Sequence, residues 1–158
     1  MKAEYINPFI EATLETLRTM LNIEARKTNV AVKQDDKAVF DISAVIGLAG
    51  SKVSGSIGIS FPRKVALKIA SAFIGQDVVV VDDDVYDALG ELANIVAGSA
   101  KKRFADNGYR FNIALPTVIS GRGHSLHFSG NENSPCIIIT FDSGVGPFAV
   151  QVNLKESK

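Results

Sequence analysis

The sequence predicts an α+β fold built by duplication, and three observations carry that expectation. Three segments repeat apolar residues at helical spacing, while the remaining segments alternate or are rich in β-branched residues. These blocks run helix, strands, helix, helix, strands, an order that suits segregated layers better than alternating βαβ units. With 158 residues, 46% of them apolar, the chain has ample material for one core and is near the size of one domain. Residues 1–158 are therefore expected to form a single domain.

The first helix is expected over Asn7–Leu21, where Ile10, Leu14, Leu17 and Leu21 share a face and Pro8 stands in a first turn that tolerates proline. Three strands follow at Thr28–Val32, Asp41–Leu48 and Val53–Phe61, with the polar stretch Lys33 to Lys37 and the pair Gly50-Ser51 as turns. In the third strand Ile57, Ile59 and Phe61 fall on one face and Ser and Gly on the other, a thin face that would admit a closely packed helix. Arg63–Ile74 is a second helix, with Val65, Ile69, Ala72 and Phe73 on one side and Gly75 past its end. Val78–Val81 is ambiguous, since four valines favour a short strand although a helix begins at once.

That third helix runs over Asp82–Asp106. Asp82, Asp83 and Asp84 at its start are explained more simply by N-capping and the helix dipole than by a metal. After Gly108, strands are expected at Phe111–Leu115, Thr117–Ser120, His124–Phe128, Ile137–Phe141 and Phe148–Leu154.

The third helix carries the candidate site. At about 100° per residue, Val85, Leu89, Leu92, Val96 and Ser99 form the buried arc, with Ala88 and Ile95 at its edge. Asp87, Glu91, Asn94 and Gly98 cluster opposite. Gly90, Ala97 and Gly98 place small residues beside the polar trio, where long solvated side chains are usual. Helical glycine costs roughly 0.5–1 kcal/mol relative to alanine, so Gly90 and Gly98 point to close approach by a docking partner.

Glu91 and Asn94, three apart, can address one target together. A carboxamide offers an acceptor and two donors in fixed geometry, which suits it to holding a water molecule for phosphoryl hydrolysis. A glutamate of ordinary acidity is a weak base at neutral pH, so Glu91 is better suited to anchoring a partner's cation. Asp87 and Glu91, four apart, are an alternative pair of Mg²⁺ ligands, without other support nearby.

Seventeen basic and seventeen acidic residues cancel, which argues against a nucleic-acid or anionic-membrane partner. The run Lys101-Lys102-Arg103 fits a helix C-terminus. Cys136 is the sole cysteine, so no internal disulfide is possible; its setting before Ile137-Ile138-Ile139 is that of a core thiol. No apolar run near the N-terminus is long enough for export or membrane spanning, and a cytoplasmic location is expected. His124 and His127 would point to opposite faces of a strand and lack further ligands. Gly121-Arg122-Gly123 is too short for a phosphate-binding loop and fits a hairpin tip, and no Gly-x-Ser-x-Gly elbow occurs.

The run Asp87-Ala88-Leu89-Gly90-Glu91-Leu92-Ala93-Asn94, with Pro116 standing 22 positions beyond Asn94, resembles the signature of the CheC/CheX chemotaxis phosphatases. The opening Tyr5-Ile6-Asn7-Pro8-Phe9-Ile10-Glu11-Ala12-Thr13 is similar to the start of CheX-type chains, and Gly55-Ser56-Ile57-Gly58-Ile59-Ser60-Phe61-Pro62 to the family's glycine-rich strand. The resemblance implies a CheC-like fold of two quasi-repeated αβ halves, with a mainly antiparallel sheet and two long helices. It also implies an enzyme that removes the aspartyl phosphate of a CheY-type receiver domain. Asn94 would orient the attacking water in the receiver's acidic pocket, and Glu91 would bond the receiver's lysine. Asp87 would be a supporting contact and Pro116 a shaper of its loop. The protein would need no cofactor of its own, because Mg²⁺ sits in the receiver. Glu11 and Glu15 are followed three later by Leu14 and Arg18, not Asn. A single active helix fits the CheX-type branch, whose members tend to be homodimers. The rival expectation is a non-catalytic receiver-binding or flagellar-switch-like interaction module.

Overall fold

The computed structural model describes residues 3–33, 39–127 and 134–156. The described elements are α1 (Ala3–Leu21), β1 (Ala25–Val32), β2 (Ile42–Gly50), β3 (Val53–Phe61), α2 (Arg63–Ile74), α3 (Asp83–Asp106), β4 (Phe111–Ile113), β5 (Thr117–Ser120), β6 (Ile137–Ser143) and β7 (Phe148–Glu156). The strands form one sheet in the order β1-β6-β7-β3-β2-β4, with β5 also on β2. Every pairing is antiparallel.

The pairings disclose the duplication that residue identity conceals. Hairpin β2–β3 comes from the first half of the chain and hairpin β6–β7 from the second, and they meet at β3–β7. The strand after each half's long helix crosses to the other half's hairpin: β1 pairs with β6, while β4 and β5 pair with β2. The halves are thus interlocked, each completed by a strand of the other. The two long helices are α1, of 19 residues, and α3, of 24.

Period-two alternation builds the floor of the core. Ile57 faces Ile46 and Val152 across the ladders, Ile59 faces Ala44 and Val150, and all six are buried. Val85, Leu89, Leu92 and Val96 of α3 are buried against this side of the sheet. Phe104 closes one end of the core, with ring centroids 5.3 Å from both Phe9 and Phe111 and 6.5 Å from Tyr5.

The start of α3 is set by Asp82, whose extended backbone and side chain make it the N-cap: its Oδ1 accepts from the Val85 N–H at 3.1 Å. Asp82→Ala is expected to cost about 1 kcal/mol, read as a lower denaturation midpoint with an unchanged slope. At the other end Arg103 does more than complement the helix dipole. Its Nε donates to Glu11 Oε2 at 3.2 Å and its Nη2 to Glu15 Oε2, tying α3 to α1. This guanidinium holds the Glu15 carboxyl below the usual carboxylate range. The glutamates of α1 therefore serve the helix seam.

One ambiguous segment is settled and several expectations change. Helix α1 begins at Ala3, and Pro8 lies inside it. Buried Tyr5 extends the apolar stripe upstream, so packing outweighs the loss of the N–H donor that proline lacks, which leaves the carbonyl four residues earlier without its helical partner. Val78–Val81 forms no strand; Val79 and Val80 are exposed. The alternation of His124–Phe128 also gives no strand over residues 124–127, and Phe128 lies outside the described residues, as does the expected turn at 34–37. His124 instead meets Ser43 of β2, its Nε2 2.9 Å from Ser43 Oγ and its Nδ1 2.8 Å from the Gly121 carbonyl. Ser43 in turn hydrogen-bonds the buried Ser60 hydroxyl of β3. Side-chain hydrogen bonds here compete with the ladder for the same segment.

Candidate functional site

The outward side of α3 holds the predicted trio together. Asp87 and Glu91 are exposed and Asn94 is half-buried. Among the described residues, no hydrogen bond or ion pair engages any of these three side chains. A half-buried carboxamide without an internal partner keeps two donors and an acceptor for something outside.

The two glycines separate. Gly90 is buried, and the close approach it permits is intramolecular: a Cβ there would stand 3.5 Å from Pro116 Cγ and 3.5 Å from Val118 Cγ2. Ala97 is likewise buried in the core and does not belong to the polar face. Both lie on the flank of the polar arc, about 40° (Gly90) and 60° (Ala97) round the helix from Asn94, on the side that the fold covers. At Gly98 a Cβ would meet open space. Ser99, placed in the buried arc by spacing, is half-buried and accepts from Arg103 Nη1 at 3.1 Å.

Pro116 stands in the link between β4 and β5. Ile113 pairs with Leu48 and Thr117 with Val45, so Ala114, Leu115 and Pro116 span the length of Gly47 and Ile46. One extra residue in one strand of an antiparallel pair is a bulge, where proline's missing donor is tolerated. The bulge sets the Pro116 ring against Gly90. Together they shape a cleft of about 510 Å³ lined by Tyr86, Asp87, Gly90, Glu91, Pro116 and Val118. Asn94 stands one turn beyond Glu91, about 4.5 Å along the axis. The sequence reading missed Tyr86 and Val118. Tyr86 was legible, being four residues before Gly90 on the flank of the same face; its hydroxyl lies 2.9 Å from Ser120 Oγ, bridging α3 to β5.

The other candidates are not brought to this face. His124 is committed to Ser43 and the Gly121 carbonyl, and among the described residues no three His, Cys, Asp or Glu side chains gather to hold a metal. Asp87 and Glu91 therefore have no third ligand there. Cys136 is half-buried, and burial pushes its thiol up against the opposing pull of Lys33, the reverse of what activates a nucleophile. No helix is long and apolar enough to cross a membrane among the described residues.

The family model described as "Chemotaxis phosphatase CheX" matches residues 42–142, a span that runs from the start of β2 into β6 and contains the whole of α3. The chain is 32% identical over 123 residues to the CheY-P phosphatase CheX of Thermotoga maritima, covering 77% of this chain and 79% of that one. Its structure is similar to that of a CheC-like superfamily protein from a Shewanella species, with a TM-score of 0.89 and 34% identity over 98% of this chain and 99% of the other. It is similar also to CheX in the CheX–CheY–BeF3–Mg²⁺ complex of Borrelia burgdorferi, with a TM-score of 0.78 and 28% identity over 96% and 98% of the two chains. Sequence, fold and the placement of the motif on α3 together establish that this chain belongs to the chemotaxis phosphatase CheX family.

Proposed function

We propose that this protein hydrolyses the aspartyl phosphate of a CheY-type receiver domain, ending a chemotaxis signal, and that Asn94 and Glu91 carry the reaction. The observation that carries this reading is the Asn94 carboxamide, half-buried, without an internal partner, and three residues from an exposed glutamate on one helix face. When α3 meets the receiver, the amide holds a water in line with phosphorus. The water oxygen forms the new P–O bond as the bond to the receiver's aspartate breaks, releasing inorganic phosphate and a free carboxylate. The charge that develops on the phosphoryl oxygens is met by Mg²⁺ in the receiver. The related Borrelia complex contains Mg²⁺ together with BeF3, a phosphoryl mimic, which supports placing the metal in the partner.

Glu91 anchors the receiver's lysine, and Asp87 adds a contact at the edge of the cleft. Gly98 lets the receiver approach the helix backbone. Gly90 acts at second hand, by admitting Pro116. The interlocked sheet supports reading residues 1–158 as a single domain. A receiver substrate supports reading the protein as cytoplasmic. The CheX-type single site further implies a homodimer, which light scattering tests as twice the chain mass of 16.9 kDa.

The deciding experiment follows phosphate on a purified receiver with and without this protein; the protein must shorten its lifetime, whereas a binding module leaves it unchanged or longer. Glu91→Ala is expected to weaken receiver binding by about 2 kcal/mol, roughly thirtyfold, because it strands the partner's cation in the interface. Single-turnover rates at saturating protein should change much less. An unchanged affinity removes Glu91 from the interface.

A further inference from the structure

The bulge that seats Pro116 also ejects its neighbour. Leu115 is 89% exposed, whereas every other leucine among the described residues is buried or half-buried. Its position is firmly held: the Ala114 N–H donates to the Gly47 carbonyl at 3.0 Å on one side, and Pro116 packs on α3 at Gly90 on the other. The chain between these two anchors is short and cannot turn Leu115 inward without breaking one of them. A large apolar side chain fixed in water is unfavourable for the free protein and is recovered only when something covers it. Leu115 adjoins the residue that walls the cleft beside Glu91, so a body docking there reaches both.

We propose that Leu115 is an apolar anchor of the receiver-docking surface, contacting the receiver at the rim of its phosphorylation pocket. This rests on the function proposed above and adds to it the residue that supplies affinity outside the polar pair. The division of labour follows from chemistry. Glu91 and Asn94 are polar and gain little from desolvation, whereas a rigidly presented leucine gains free energy in proportion to the area it buries and requires little ordering to do so. Bulges beside functional sites commonly re-aim a side chain in this way.

The test compares Leu115→Asp and Leu115→Met with the wild-type protein, using a receiver locked by BeF3 and Mg²⁺ for binding and a phosphorylated receiver for turnover. Leu115→Asp should weaken binding and raise KM by about tenfold or more, with kcat within about twofold of wild type. Leu115→Met should restore both, because it returns apolar area without the shape of leucine. Thermal midpoints of both variants should match the wild type, since the side chain supports no core contact. Wild-type affinity in Leu115→Asp overturns this inference alone. Binding that is sensitive to Leu115 without any hydrolysis by the wild type overturns the phosphatase reading alone. If the wild type fails to bind the locked receiver, both fall.

Discussion

Asn94→Ala is expected to slow single-turnover hydrolysis of a receiver's aspartyl phosphate by a hundredfold or more, with receiver affinity within a few-fold of wild type. The magnitude follows from what the amide does. It transfers no proton and forms no bond, so its whole contribution is to hold a water at the angle and distance of in-line attack. Misplacement of a reacting group by about 1 Å can cost on the order of a hundredfold, and alanine removes the placement altogether. The fold should survive, because Asn94 is half-buried and no internal hydrogen bond holds it. Alanine is also the better helix former by up to about 0.7 kcal/mol, so the thermal midpoint should hold or rise slightly. Asn94→Asp gives a sharper version, since it keeps the shape, loses both donors and adds a negative charge facing phosphate. Activity of either variant at the wild-type rate would remove Asn94 from the mechanism.

Phe104→Ala is expected to be the most damaging single change to stability, at about 3–5 kcal/mol. Its ring joins α1 to α3 and to β4 through Phe9, Tyr5 and Phe111, and it is completely buried. Truncation leaves a void that two long helices and a sheet cannot jointly close. Domains of this size have roughly 5–15 kcal/mol in total, so the loss is a large share, and the midpoint should fall by on the order of 10 °C. Phe104→Leu, which refills most of the volume, should cost much less. Denaturation that shows less than about 1 kcal/mol for the alanine variant would mean the seam repacks. The site lies about 15 Å along α3 from Phe104, ten residues back at Asn94, so folded Phe104→Ala protein should retain its catalytic rate at low temperature.

The helices and most strands were legible because their apolar periods were strong and their boundaries carried local chemistry. Arg63–Ile74 ends at Gly75, which has φ of 83°, and Asp82 announces α3 by a cap that needs no tertiary information. The trio on α3 was legible for the same reason, since helical spacing alone gathers it. The misjudged places depend on distant partners. His124 to His127 alternates like a strand, but the decision belongs to Ser43, some eighty residues earlier. Pro8 reads as a helix start until Tyr5 is known to be buried beside Phe104. Gly90 illustrates the limit most clearly. A helical glycine announces that something comes close, but only the fold discloses that the visitor is Pro116 of the same chain. Leu115 carried no local signal of exposure, because its ejection follows from the register of β2.

The crossing of β1 and of β4–β5 to the opposite hairpins has a kinetic corollary. Ala25 waits for Ser143 and Val32 for Ile137, so contacts separated by more than a hundred residues must form before hairpin β6–β7 gains its outer neighbour, and β2 likewise waits for Phe111 and Ser120. Such remote closure slows folding. During synthesis the chain emerging from the ribosome therefore holds an unfinished sheet margin until β6 appears, and that margin is the point at which chaperone dependence and aggregation should concentrate.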